Sequence, residues 1–536
     1  MNNNKTIYLN GKNLTIEDVI NISENGYKVD FPQEIKEDII KTRKGLEKQL
    51  IEHPEIQIYG TNVGCGDLKD TVITPEAFEN YQTKYIKAHN CGTGNPLPIE
   101  VSRAIMVIRL NSFAKGLSAV RMETCQLMID MLNAGLSPWV LEEGSVGASG
   151  DLIPLAMIGA VLIGLPEAKA YYKGELLNAP EAFKRAGLKP TKLGAKEAMG
   201  LTNGSNFISA ITVYAIRDAE NLLKNASISA SLSLEAIRGE KNAFSELINN
   251  NRPHKGQMLI AKNIRNLINN SKRTTEEAQK IAYPNQIPET VKERVQDRYS
   301  FRAVPQVHGP VFEALEKLRD VVTIEINSAT DNPLFFVDEN GYFQAKSGAN
   351  FHGQPLATVI DYAKLSITSL GLLTDKRTFS LLDKYLNYGL PADLAVDHNS
   401  GDTGLMLTQY AGAARAAESR VLSTPASVMS VSTSANQEDF VSMGSIGAVH
   451  LKKIIYNTQI IVAIEFLCAL RALQMSYDNL PENLRSLGEG TDKVYKYLCT
   501  KFPAVTEDQY MRLDIEKAFD IVKSGELVDL VGDLLK

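Results

Sequence analysis

Apolar residues recur along this 536-residue chain mostly at the three- and four-residue spacing of helices. From Gln33 to Glu52, Ile35, Ile39, Ile40, Leu46, Leu50 and Ile51 keep that spacing and predict a helix. Beyond Ser205 the patterns lengthen, predicting helices over Asn206–Ala236, Pro310–Asn327, Gln354–Leu373, Leu405–Leu422 and Ser445–Tyr477. Strand signals are few and short. Asn10-Gly11, between TIYL and KNLTIEDV, predicts a hairpin turn. Thr15 with Asp18 predicts a capping box for the helix that follows. After the break at Pro96–Pro98 one long helical pattern runs to Asn133. YGTNVGCG, Tyr59 to Gly66, and GSVGASGDLIP, Gly144 to Pro154, are glycine-rich and predict loops, the second feeding a buried helix. Asn249 to Val307 reads as a loop-rich excursion. The expected organisation is mostly α: a loop-rich N-terminal domain over 1–210 and a bundle of long helices over 211–536.

Composition narrows the function classes. The 57 basic and 63 acidic residues leave a net charge of −6, opposite in sign to a general nucleic-acid or anionic-membrane binder. Five widely spaced cysteines without a CxxC pair signal neither a disulfide framework nor structural zinc. The histidines form no HxxxH or HExxH, and no glycine-rich nucleotide motif exists, so neither a metal nor a nucleotide cofactor is expected. The polar N-terminus has no apolar core of a signal peptide, and the longest uncharged apolar run, Ala156 to Leu165, is too short to span a bilayer. A cytoplasmic protein is expected.

The most informative segment is Ala148-Ser149-Gly150, bracketed by Gly144 and Gly147 and followed by Asp151, Leu152 and Pro154. Read alone, it is a turn with a helix N-cap. Seven further segments occur in order: Tyr59–Gly66, AHNCGTG at Ala88, AKEAMGLTNGSNF at Ala195, RVQDRYSFRAVPQVHG at Arg294, NSATDNPL at Asn327, ANFHGQP at Ala349, and TSANQEDFVSMG at Thr433. In this frame and order the chain resembles the histidine and aromatic amino acid ammonia-lyases over nearly its whole length. The resemblance implies a fumarase/aspartase-like long-helix bundle. It also implies a 4-methylidene-imidazol-5-one group (MIO) formed autocatalytically from Ala148, Ser149 and Gly150. The residue types suit that closure. The attacking nitrogen belongs to a residue without Cβ, the serine hydroxyl leaves as water, and a small first residue avoids crowding the ring.

Elimination of ammonia needs a better leaving group and a base for a weakly acidic β-hydrogen. By the resemblance, Tyr59 is that base, which requires a phenol pKa below its ordinary value near 10. Arg302 is implied as the bidentate ligand of the substrate carboxylate, with Tyr299 and Gln296 sharing hydrogen bonds around it. Asn203 is implied to bond the carboxylate or the prosthetic carbonyl, Phe351 to pack on the prosthetic ring, and Glu438 to act near the amine or the substrate ring.

Substrate choice in the family rests largely on two adjacent residues, here Ala88 and His89. A histidine can exchange a hydrogen bond with a substrate imidazole, Glu438 can accept from the other ring nitrogen, and Met406 matches a residue lining the ring pocket. These residues favour histidine, with urocanate as product. Ala88 in place of serine, Asn90-Cys91 in place of Ala-Ala, Cys65 in place of phenylalanine and Arg298 in place of proline keep other readings open. These are a tyrosine or phenylalanine ammonia-lyase, an MIO-dependent 2,3-aminomutase, a lyase for a histidine derivative, and a helical scaffold with a dead site. A homotetramer with sites drawn from more than one subunit is implied.

Overall fold

The computed structural model describes residues 5–287, 294–338 and 343–535; Met1–Asn4 of the polar N-terminus lie outside them. The protein is predominantly helical, and its contacts divide it into two compact units. The first comprises 1–214, 318–361 and 425–449; the second comprises 215–317, 362–424 and 450–536. A division at 210 cuts the chain once, whereas the fold returns it twice to the first unit, bringing Thr330–Asp331 and the Glu438 loop there.

The long patterns become helices Asn206–Ala236, Val304–Glu325, Gln354–Leu382, Met406–Leu422 and Gly444–Ser476. Two of them, Gln354–Leu382 and Gly444–Asn479 with its 3₁₀ extension, have the length and hydropathy of a membrane span, yet most of each is buried within the fold. Their interior is not purely apolar. In the second unit Glu465 takes Arg377 Nε at 2.6 Å and Nη2 at 2.9 Å, with Ser229 and Ser233 each donating to it at 2.7 Å. A buried carboxylate is tolerated there because cation and hydroxyls replace its water shell.

The first unit holds four small sheets among the described residues. Three expectations change across the two units. Thr6–Tyr8 pairs in parallel with Lys28–Asp30 rather than forming a hairpin. Asn10 Oδ1 accepts from the Lys12 and Asn13 N–H groups, and Gly11 N–H donates to Asn111. The turn therefore feeds the helix Ile16–Ser23, whose Thr15–Asp18 capping box forms as read. The pattern ending at Asn133 is two helices, Ile99–Phe113 and Met122–Ala134, parted at Gly116 with φ +68°. The Asn249–Val307 excursion contains the helix Lys255–Leu267, which buries Ile260, Ile264 and Leu267.

Candidate active site

Ala148-Ser149-Gly150 immediately precedes the buried helix Leu152–Leu162. The loop is pinned on both sides. Gly147 O accepts from Ser442 Oγ, and Val146 O from the Met443 N–H. Ala148 packs with Ala426, Val441 and Met443. Asp151, fully buried, accepts from Ser145 Oγ, Ser445 Oγ and the Ile208 N–H. Burial pushes its carboxyl up to about 6 against those bonds.

Gly150 has φ +77° and faces Gly204, whose O, N and C atoms lie 2.3–2.5 Å from where a Cβ would stand. Only glycine fits, and its backbone is free to fold back. Ser149 Oγ donates to Glu438 Oε1 at 2.5 Å, while Glu438 Oε2 accepts from Thr433 Oγ1 at 2.7 Å. The Glu438 loop is strained: Ser434, Ala435 and Asn436 all have φ between +50° and +67°, a conformation non-glycine residues keep only where the surroundings enforce it. Asn203 is buried, and its Oδ1 has no hydrogen-bond partner among the described residues. An open acceptor, a glycine without room for Cβ and a held serine hydroxyl fit an MIO precursor.

Tyr59 stands on the loop that also carries Cys65. The Gly66 N–H donates to its phenol oxygen at 2.8 Å. Gly60, with φ +62°, has Met199 where a Cβ would go, which explains its identity. Burial pushes the Tyr59 phenol above its ordinary value, Cys65 and Glu438 push the same way, and the Gly66 N–H opposes them. The depressed pKa expected of a base is therefore not produced within one chain.

His89 is the last residue of the helix Phe78–His89. Its Nδ1 lies 2.8 Å from Tyr85 O, and its ring stacks on Tyr85 at 3.8 Å. A carbonyl can only accept, so Nδ1 carries the proton and Nε2 is an acceptor. Burial lowers the His89 pKa, opposed by the Tyr85 bond and the charge of Glu438; the imidazole is neutral at neutral pH. Ala88 beside it is exposed. Cys65 Sγ lies 3.3 Å from Tyr81 OH, and Tyr81 in turn lies 6.3 Å, ring to ring, from Tyr85. Tyr81 and Tyr85 were not singled out from sequence. Their signal was legible: Tyr81, Tyr85 and His89 are four residues apart, one face of a helix.

The first unit thus gathers Tyr59, His89, Ser149 and Glu438, with Asn203 behind Gly150. Phe351 is half-buried in the same unit. The remaining candidates belong to the second unit. There Tyr299 is 71% exposed, Gln296 is exposed, and Met406 opens the helix Met406–Leu422. The Arg302 guanidinium lies 4.6 Å from the centre of the Tyr299 ring, and its Nε is buried without a partner among the described residues. Among the described residues no cluster of three or more metal-ligating side chains occurs.

Residues 14–500 match the aromatic amino acid lyase family. The chain is 42% identical over 531 residues to histidine ammonia-lyase 2 of Fusobacterium nucleatum, covering 99% of both. Its fold is similar to that of a histidine ammonia-lyase from Trypanosoma cruzi, with TM-score 0.86 and 31% identity over 99% of this chain and 96% of that one. It is similar likewise to tyrosine aminomutase from Streptomyces globisporus, with TM-score 0.87 and 31% identity over 99% of both. Fold, site and these matches together define a carbon–nitrogen lyase. The chain belongs to the aromatic amino acid lyase family.

Proposed function

We propose that this enzyme eliminates ammonia from L-histidine to give urocanate, as a cytoplasmic homotetramer carrying MIO at Ala148-Ser149-Gly150. The observation that carries the substrate is the fixed tautomer of His89. With Nδ1–H committed to Tyr85 O, Nε2 presents a lone pair to a substrate ring N–H. Glu438, close enough to act on His89 electrostatically, supplies an acceptor for the second ring N–H that the substrate carries as an imidazolium. A phenyl ring would leave both unpaired.

MIO, when formed, supplies an electrophile that turns the amino group into a better leaving group. The chain's own residues do the rest. Arg302 offers its fork to the carboxylate. Asn203 Oδ1 offers an acceptor. Tyr59 takes the β-hydrogen, with the Gly66 N–H stabilising the phenolate oxygen. Because burial opposes that ionisation, Tyr59 needs a positive charge brought to it in the assembled, substrate-bound site.

The test is His89→Leu. A substrate imidazole edge left buried and unpaired costs roughly 1–3 kcal/mol. The ratio of kcat/KM for histidine over tyrosine should therefore fall about 5- to 150-fold. An unchanged ratio, with both substrates equally affected, would remove the case for histidine. A β-amino acid product instead of urocanate would identify an aminomutase.

A further inference from the structure

Behind the triplet, in the first unit, lies a charge cluster that the reaction chemistry above does not use. Arg109, Lys196 and Asp331 have side chains at most 1% exposed. Lys196 Nζ donates to both Asp331 oxygens, at 3.0 and 2.9 Å, and Arg109 Nη2 lies 3.7 Å from Asp331 Oδ2. Arg109 Nε has no hydrogen-bond partner among the described residues, while the two terminal nitrogens turn to one stretch of chain. Nη1 donates to Asn203 O at 2.7 Å and to Asn206 Oδ1 at 3.2 Å, and Nη2 donates to Gly200 O.

That stretch is the one on which the triplet rests. Gly204 follows Asn203 and pairs with Gly150, and Gly204 O accepts the Asp151 N–H at 2.7 Å. A Cβ on Gly204 would stand 2.5 Å from Arg109 Nη1 and 2.6 Å from Thr330 O. Guanidinium, turn and triplet therefore form one close-packed stack. Burial lowers Arg109 to about 10 against the pull of Asp331, so it stays charged at neutral pH. Two cations share one carboxylate. An arrangement this costly to desolvate is poor stabilisation compared with an apolar core, whereas a forked, fixed donor is suited to holding three backbone and side-chain oxygens in register.

We infer that Arg109, fixed by Asp331 and Lys196, is a positioning residue that holds the Asn203–Gly204 turn against Gly150 so that Ala148-Ser149-Gly150 can close on itself. The inference rests on the MIO reading. The closure balances without a co-reactant. The Gly150 nitrogen bonds to the Ala148 carbonyl carbon, whose oxygen leaves as water with the amide hydrogens of Ser149 and Gly150. Ser149 Oγ leaves as a second water with its own hydrogen and the Ser149 Cα hydrogen.

The experiment is the intact mass of purified, folded protein over time after synthesis, beside its circular dichroism and melting curve. Wild type should become two waters lighter. Arg109→Gln keeps a polar amide but loses the reach, the fork and the charge. Its folded fraction should lose water roughly tenfold more slowly or worse, since a misplacement of about 1 Å costs on the order of 100-fold in a positioned reaction. Arg109→Lys, which keeps one point donor, should fall between. Asn206→Ala, which removes only one acceptor of Arg109, should show a smaller delay and serves as the deciding variant if Arg109→Gln does not fold. Folded variants that mature at the wild-type rate, or that change only the melting temperature, would overturn the inference. Wild type at full sequence mass would instead overturn the MIO reading itself.

Discussion

At the scale of single residues, Ser149 and Asp151 separate chemistry from support. Ser149→Ala removes the leaving hydroxyl but only one surface of a hydrogen bond to Glu438. The variant should keep the wild-type fold by circular dichroism while its intact mass stays at the sequence value. A variant that still lost two waters would exclude Ser149 as the source of the methylene. Asp151 makes a pH prediction. Its carboxyl, ordinarily near 3.8, is raised to about 6 by burial, so the folded state holds the proton more tightly than the unfolded chain. The contribution of Asp151 to stability is therefore fully present below pH 3.8 and is lost as pH rises through about 6. The loss is on the order of 2–3 kcal/mol, at about 1.4 kcal/mol per pH unit between the two values. Asp151→Asn cannot titrate. Relative to wild type its urea midpoint should improve between pH 4 and pH 7; a constant difference across that range would contradict the shift. Its loss of charge-assisted bonds sets a pH-independent offset, which the comparison cancels.

At the scale of elements, long helices were the most legible feature, because their pattern repeats over enough turns to be unambiguous. The helices Gln33–Glu52 and Asn206–Ala236 run between the residues the pattern named. The Asn10-Gly11 hairpin was misread because local turn chemistry does not state which strand comes next; Lys28–Asp30 lies beyond a helix. The candidate residues Tyr59, His89, Ser149 and Glu438 are legible through their motif order. Arg109, Lys196 and Asp331 were invisible, since buried charges look like surface charges until the fold brings them together. The same holds for the buried pair Arg377–Glu465. It gives an element-scale prediction: Glu465→Gln leaves Arg377 without its counter-charge and should cost about 3–5 kcal/mol, visible as a large drop in melting temperature. Replacing both, Glu465→Leu with Arg377→Met, should recover most of that loss. If the double variant is as unstable as the sum of the singles, the pair is not the coupled unit the distances describe.

At the scale of the whole molecule, each unit leaves large apolar side chains exposed. Around the Glu438 loop Val428 is 78% and Phe440 58% exposed, and on the helix Met406–Leu422 Leu407, Tyr410 and Val421 are exposed. Closed symmetric assembly, as in the proposed homotetramer, is the usual way to cover exposed apolar side chains. Light scattering should therefore give the mass of four chains. Mass alone does not show that sites are shared, so the sharper test mixes two inactive variants. Ser149→Ala disables the triplet, and Arg302→Gln disables the carboxylate ligand. If one subunit supplies the triplet of a site and another supplies its Arg302, random mixing leaves some sites with both wild-type residues. With equal amounts of the two variants, that fraction is about one quarter, the product of two independent halves across the symmetric interfaces. Co-expressed variants should then recover up to about a quarter of wild-type activity, while each alone stays inactive. If each site instead takes both residues from one chain, no mixture can contain an intact site and activity stays at zero. A fully active monomer would dismiss the assembly outright, and zero recovery in mixed tetramers would keep the tetramer but place each site within a single subunit.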